Sequence, residues 1–192
     1  MSHGISVFPN CTVAVLRWIF YPTNDIIRAN TQLVIKMFRV IVFLISHGLA
    51  MAVGFALGIY LLPILIAPDA PSDTEVANVS AKAIFTTQFI KDLPGSDFLH
   101  WGEGELSISA RRISFTGKLA PGPDYRLYLT PQLVLDEQEF LAIKEQSVYV
   151  GDIKTFDNFI LNVAENINPA GFTAVVVWCE TFGEFITAAS YQ

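Results

Sequence analysis

The sequence predicts an all-β domain, an antiparallel β-sandwich or barrel-like fold, preceded by a single transmembrane α-helix. Three observations carry this. An uncharged apolar run extends from Val40 to Ala67, a series of short alternating strand patterns separated by turn residues follows Pro94-Gly95, and charge is divided unequally across the run. A helix needs about 20 apolar residues to cross a hydrocarbon core, so this run is long enough to span with tilt. Many short strands at regular spacing are the pattern of a sandwich or barrel.

Taken in order, residues 1–39 read as a cytoplasmic segment, 40–67 as the membrane helix, 68–94 as a linker with a possible short helix, and 95–192 as the β domain. Arg17, Arg28, Lys36 and Arg39 precede the run against one acid, Asp25, whereas eight basic residues face seventeen acids after it. By the positive-inside rule the N-terminus is cytoplasmic and the C-terminal domain is periplasmic or extracellular. Met37 opens MFRV, a short basic start typical of an anchor, which suggests that translation begins there and that the first 36 residues are an upstream extension. A cleaved signal peptide is the competing reading, but its apolar region is typically about 7–15 residues, and the run here is far longer.

Within the run, Ala50, Gly54 and Gly58 recur every fourth residue and set small side chains on one helical face, where a second helix can approach closely. His47 is an ionisable residue inside the same segment, a position that commonly carries function; without a second His beside it, a neutral imidazole satisfied near the interface is the simpler expectation.

The stretch from Pro68 to Ser80 is rich in Pro, Asp and Ser and reads as a linker. Lys82–Lys91 reads as a short helix near the bilayer, although its apolar residues fit a strand nearly as well. Glu105–Ser109, Arg112–Leu119, Tyr125–Thr130, Ser147–Ile153 and Phe159–Val163 alternate as strands. Thr173–Glu180 is almost wholly apolar, as a central strand covered on both faces would be, and Phe185–Ser190 closes the sheet. Asp136–Gln146 is the one helical pattern in the domain, with acids in its first turn.

The excess of acids gives the domain no electrostatic reason to bind nucleic acid. The expected partners are the lipid bilayer and an exported or membrane protein. No phosphate loop, HExxH, CxxC, CxxCH or GxSxG motif is present. Gly102-Glu103-Gly104 precedes a strand rather than a helix and reads as a turn. The two cysteines, Cys11 and Cys179, fall on opposite sides of the membrane, so Cys179 is a lone exported thiol. At a period of two it shares a face with Val175 and Val177, while Trp178 points the other way with Val176. An inert packing role suits a buried Cys; a reactive one requires exposure and a positive neighbour, and the adjacent residue is Glu180.

Four motifs carry a family resemblance: Leu99-His100-Trp101-Gly102 with Gly104, Gly122-Pro123-Asp124-Tyr125 ahead of Tyr128-Leu129, Gly151-Asp152-Ile153-Lys154, and Val176-Val177-Trp178-Cys179-Glu180-Thr181-Phe182. From about Gly95 to the C-terminus the chain resembles the DM-thirteen domain, an electron-transfer-type module often found beside DOMON domains. The resemblance implies a redox-active cysteine at Cys179, supported by His100, Trp178, Asp124 and Tyr125. It identifies no cofactor and no metal. Asp124 is expected to shape its turn through backbone amides, and His100 to be a turn residue rather than a metal ligand. One departure stands out: Thr155-Phe156-Asp157-Asn158 replaces the Gly-Asn-Gln-like turn of the family, which predicts a differently shaped loop. The absence of a classical catalytic motif leaves a non-enzymatic binding or assembly module as the alternative to redox work.

Overall fold

The structure, a computed structural model, describes residues 12–192, with side chains from Asp25 onward. Cys11 therefore lies outside the described residues. Two units follow one another, Met1–Gly54 and Phe55–Gln192.

The first unit, as described, is helical. Helix α1 runs from Thr12 to Ile66, starting well before the expected span at Val40 and passing through Met37 without a break. Its segment Asp25–Ile66 is long and apolar enough to cross a membrane; at about 1.5 Å per residue these 42 residues exceed the thickness of a hydrocarbon core. Its side chains are exposed through Gly58, and a Cβ added at Gly54 or Gly58 meets nothing within 4 Å. His47 bonds locally. Its Nδ1 lies 2.9 Å from the Phe43 carbonyl, which only accepts, so Nδ1 is the protonated nitrogen.

The linker reading of Pro68–Ser80 needs correction, because Asp73–Ser80 forms helix α2. Its start is a capping box: the Glu75 amide donates to Ser72 Oγ at 3.3 Å and the Ser72 amide donates to Glu75 Oε2 at 2.8 Å. Val76 and Val79 are buried against β3 and β6. The expected helix at Lys82–Lys91 is instead strand β1, Phe85–Phe89. Alternation decided the outcome, since Phe85 and Phe89 pack inward while Thr86 and Gln88 are exposed. The folded domain thus begins ahead of Gly95.

The remaining strands follow the expected patterns closely: β2 Gly102–Ile108, β3 Arg112–Leu119, β4 Tyr125–Thr130, β5 Val148–Ile153, β6 Phe159–Asn162, β7 Ala174–Cys179 and β8 Glu184–Ser190. Helix α3, Glu137–Ile143, is capped by Asp136, whose Oδ1 accepts from the Glu139 amide at 2.8 Å. The strands make two antiparallel four-stranded sheets, β1-β2-β3-β6 and β5-β4-β7-β8. No ladder joins the two sheets, so the domain is a sandwich and the barrel-like option is excluded.

Gly102-Glu103-Gly104 is not a turn but the start of β2, and its glycine has a steric cause. Gly104 has φ of 146° and pairs with Gly117 of β3, and a Cβ on either would strike the other strand's backbone. The main core lies between the sheets. There Phe115 stacks on Phe159 at 4.9 Å and lies 5.6 Å from Phe89, beside Leu106, Leu127, Val175 and Val177. A second apolar cluster fills the outer side of β4 and β7 beneath α3, built on Phe140, Trp178, Val176 and Phe185. Strand β7 is therefore buried along its whole length.

Candidate functional site

The antiparallel arrangement brings several connections to one end of the sandwich. Strand β2 begins at Gly102 opposite Leu119, and β4 begins at Tyr125 opposite Cys179, the last residue of β7. Residues 96–101, 120–124 and 180–183 consequently emerge together. Cys179 lies at this end with its side chain in the core between the sheets, on the face of Val175 and Val177, while Trp178 faces α3. The period-two assignment of faces holds even though β7 and β8 shift register beside Trp178.

The thiol is 2% exposed, and Sγ donates to the Pro123 carbonyl at 3.1 Å. Burial pushes its pKa up. The Phe182 and Thr181 amides pull in the opposite direction, while the charges of Asp124 and Glu184 add to the rise. The acids that oppose ionisation are thus different from the sequence neighbour Glu180, whose carboxylate is engaged elsewhere. Burial works against that carboxylate, but the Tyr128 hydroxyl and Lys144 Nζ, at 2.9 Å, outweigh it and hold its pKa below the usual range. Lys144 also lies over the Trp178 ring, 5.3 Å from its centroid.

Tyr125 is buried directly opposite Cys179 in the β4–β7 ladder. Burial, followed by the proximity of Cys179, raises its phenol pKa well above the ordinary value. A Cβ on Gly122 would strike the Tyr125 ring and hydroxyl, so glycine permits the 120–124 connection to close over the phenol. Asp124 adopts a positive φ of 52°, a conformation that Asp tolerates better than most residues. Its carboxylate does not bond backbone amides, contrary to expectation. Oδ2 accepts from the Thr181 hydroxyl at 3.3 Å and Oδ1 lies 3.5 Å from Arg126 Nε, while its carbonyl accepts from the Glu180 amide at 3.1 Å. Asp124 therefore ties the 120–124 connection to the β7–β8 turn directly after Cys179.

His100 is positioned by a residue that the sequence reading missed. Asp97 Oδ1 accepts from the Leu99 and His100 amides at 2.6 and 2.7 Å, and its Oδ2 lies 3.1 Å from His100 Nδ1. Burial opposes the Asp97 charge, but those amides and the imidazole outweigh it and lower the carboxyl pKa. The three-residue spacing from Asp97 to His100 was the available signal, since Asp commonly bonds amides two and three residues on. Nδ1 donates to the Asp97 carboxylate.

Within the Phe55–Gln192 unit, Leu99, His100, Pro121, Tyr125, Cys179 and Phe182 line one predominantly apolar cavity of about 470 Å³, together with the last turns of α1 around Ile59 and Tyr60. His100, Tyr125 and Cys179 are brought together, whereas Asp124 does not line this cavity and acts on it through its bond to Thr181. Trp178 is not brought to them, because the alternation of β7 sends it to the opposite face. Among the described residues, no group of three or more His, Cys, Asp or Glu side chains is placed to hold a metal ion. The loop Thr155–Asn158 has a clear role. Asn158 Nδ2 donates to Asp73 Oδ1 at 2.7 Å and to the Pro71 carbonyl at 3.3 Å, fastening the start of α2 to the domain.

The architecture defines a small antiparallel sandwich module with one buried thiol at its end, following a helix long and apolar enough to span a membrane. The family described as Electron transfer DM13 matches residues 88–191, and the chain belongs to that family. No curated protein and no solved structure matches it significantly.

Proposed function

We propose that this chain is a single-pass, membrane-anchored electron-transfer module whose sandwich lies on the periplasmic or extracellular side, with Cys179 as the group that is oxidised and reduced. The observation that carries this reading is that Cys179 borders an apolar cavity also lined by Tyr125 and His100. Charge asymmetry about α1 supports the orientation, with the basic N-terminal side in the cytoplasm.

The environment favours electron transfer over thiol exchange. Exchange requires a thiolate and a clear path for an incoming sulfur, whereas burial keeps Cys179 protonated and covered. Transfer of one electron from the buried thiol to an external one-electron acceptor must be accompanied by loss of its proton, leaving a neutral thiyl radical, since an uncompensated charge in this core is costly. The Pro123 carbonyl orients the S–H but cannot keep the proton. The His100 imidazole of the cavity wall is the proposed proton acceptor, with its Nδ1 held by the Asp97 carboxylate at 3.1 Å. Tyr125 stays a phenol and contributes packing beside the sulfur.

The test uses the full chain with Cys11→Ser in lipid nanodiscs, titrated with a strong one-electron oxidant such as hexachloroiridate(IV) and then with a reductant. The expected result is reversible uptake of oxidant that disappears in Cys179→Ser. Equal uptake by both forms would remove Cys179 from the function.

A second reading, a non-enzymatic assembly module, draws on two features: the sealed sulfur, and the open face of α1 at Ala50, Gly54 and Gly58, to which a partner helix would pack. Its partner would be an exported or membrane protein. Mild-detergent purification separates the readings, because a monomer with no co-purifying protein is incompatible with assembly.

A further inference from the structure

At the end of the sandwich that carries Cys179, apolar side chains are exposed where a soluble domain has no use for them. Phe98 is 84% exposed, the highest value among the large apolar residues of the domain, and Phe182 and Leu99 are 51% and 40% exposed. Phe98 and Leu99 come from the connection before β2 and Phe182 from the β7–β8 turn, so two separate segments contribute. Leu99 and Phe182 border the same cavity as Ile59 and Tyr60 from the last turns of α1. Leu62, Ile66 and Pro68 border a second cleft with Pro123 and Phe156, also at this end, whose polar side is formed by Asp124, Asp152 and Lys154. The apolar patch is therefore continuous with the part of α1 that leaves the membrane.

At the opposite end the β2–β3 turn carries Arg111 and the segment after β6 carries Glu165, Asn166 and Asn168, and the exposed apolar side chains there, Ile84 and Leu133, do not adjoin α1.

We infer that the lipid bilayer itself covers this patch: Phe98, Leu99 and Phe182 insert into the outer leaflet beside α1, seating the sandwich with its Cys179 end on the membrane. The inference rests on the reading of α1 as a membrane anchor. The rim chemistry sets the depth. Asp97 next to Phe98 is a half-exposed carboxylate, and Lys91 lies 4.3 Å from the centroid of the Trp101 ring. Charges at this level belong among headgroups, so insertion stops at the headgroup–acyl boundary, roughly 5–10 Å deep. Tyr60 and Trp101 occupy the level at which amphipathic aromatic rings are favoured. Because the chain tethers the patch beside the bilayer, even a shallow apolar contact is made at high effective concentration. A consequence is that the cavity beside Cys179 opens toward lipid, and a molecule dissolved in the bilayer reaches it without crossing water.

The test places an environment-sensitive fluorophore at Phe98→Cys, Phe182→Cys, Glu165→Cys and Leu44→Cys in the full chain carrying Cys11→Ser. The buried Cys179 is left in place, and protein without an added cysteine serves as the blank. The chain is reconstituted in phosphatidylcholine vesicles containing lipids with a nitroxide near the headgroup or deep in the acyl chain. The expected result is several-fold stronger quenching at 98 and 182 than at 165, greatest with the shallow nitroxide, with Leu44 quenched by the deep one. A probe at Leu99→Cys is expected to lose its quenching when Phe98→Asp and Phe182→Asp are introduced together. Quenching at 44 with none at 98 and 182 overturns the inference and leaves the anchor standing. No quenching at any position overturns the anchor and the inference with it. A blue shift at 98 and 182 without lipid quenching overturns it in favour of a protein surface covering the patch.

Discussion

Replacing Cys179 separates a redox sulfur from a packing one, because the two roles respond differently to Ser and Ala. The site is almost closed, with Cys179 at 2% exposure and its S–H directed at the Pro123 carbonyl 3.1 Å away. Serine keeps the donor and nearly the shape, so its cost is that of a satisfied hydroxyl in an apolar site, about 1 kcal/mol. Alanine removes the donor to the Pro123 carbonyl and leaves a sulfur-sized void, costing about 1–2 kcal/mol. In a domain of this size about 4 °C of melting temperature accompanies each kcal/mol, so both variants remain folded at 25 °C. Thermal unfolding followed by circular dichroism in detergent checks the stability arm, and oxidant uptake checks the redox arm. If the sulfur transfers electrons, both variants lose uptake completely, although Ser retains nearly native stability. If Cys179 only packs, function tracks stability and Ser is close to native. A Cys179→Ala chain that melts as expected and still cycles electrons would refute the redox assignment.

Other outcomes follow from the same geometry. Alkylation of Cys179 by iodoacetamide at pH 7 is expected to be far slower than that of an exposed thiol and to accelerate in urea. Because its folded pKa is raised, the stability linked to the neutral thiol is fully present below the ordinary thiol pKa of about 8.5 and falls as pH rises beyond it. Glu180 has the opposite sign: its pKa is lowered, so its contribution is complete above about pH 4.3 and disappears as pH falls through the folded value. Lys144→Met is expected to cost about 1–3 kcal/mol by leaving that partly buried carboxylate to Tyr128 alone, and to flatten the acid limb of a urea-stability profile. Gly104→Ala adds strain at a positive φ and a clash with β3, which costs at least about 2 kcal/mol in urea denaturation. Ser72→Ala removes the α2 cap, worth about 1 kcal/mol, and raises protease sensitivity between residues 68 and 80 if α2 is docked as described.

The legible parts of the sequence were those in which one local signal dominated. Seven strands were marked by alternation or by continuous apolar runs bounded by turns, and the faces of Cys179 and Trp178 followed from the period of two alone. The errors lay where two signals competed. At Pro68–Ser80, composition spoke for a linker, yet Ser72 and Glu75 stand at the spacing of a capping box, and Val76 and Val79 fall on one helical face. At Lys82–Lys91, Thr86, Thr87 and the flanking phenylalanines fit a strand, but isolated ambiguity was settled only by β2, which supplies the ladder from Phe85 opposite Ile108 to Phe89 opposite Gly104. The glycines at 102 and 104 mimicked a turn because close backbone approach and turn geometry call for the same residue.

The site was less legible for a different reason. Sequence adjacency made Glu180 the acid beside Cys179, but successive residues of a strand point to opposite faces, which delivers Glu180 to Tyr128 and Lys144. The acids that bear on the thiol, Asp124 and Glu184, come from the connection before β4 and from the start of β8. The carbonyl that orients it, Pro123, is 56 residues away in the chain and reaches it only because β4 and β7 pair antiparallel. The cysteine itself was thus visible in the sequence, whereas its chemistry depends on three non-adjacent segments that meet at one end of the sandwich. A single substitution in any of them, such as Gly122→Ala against the Tyr125 ring, is therefore expected to alter the oxidant uptake of Cys179 without touching the cysteine.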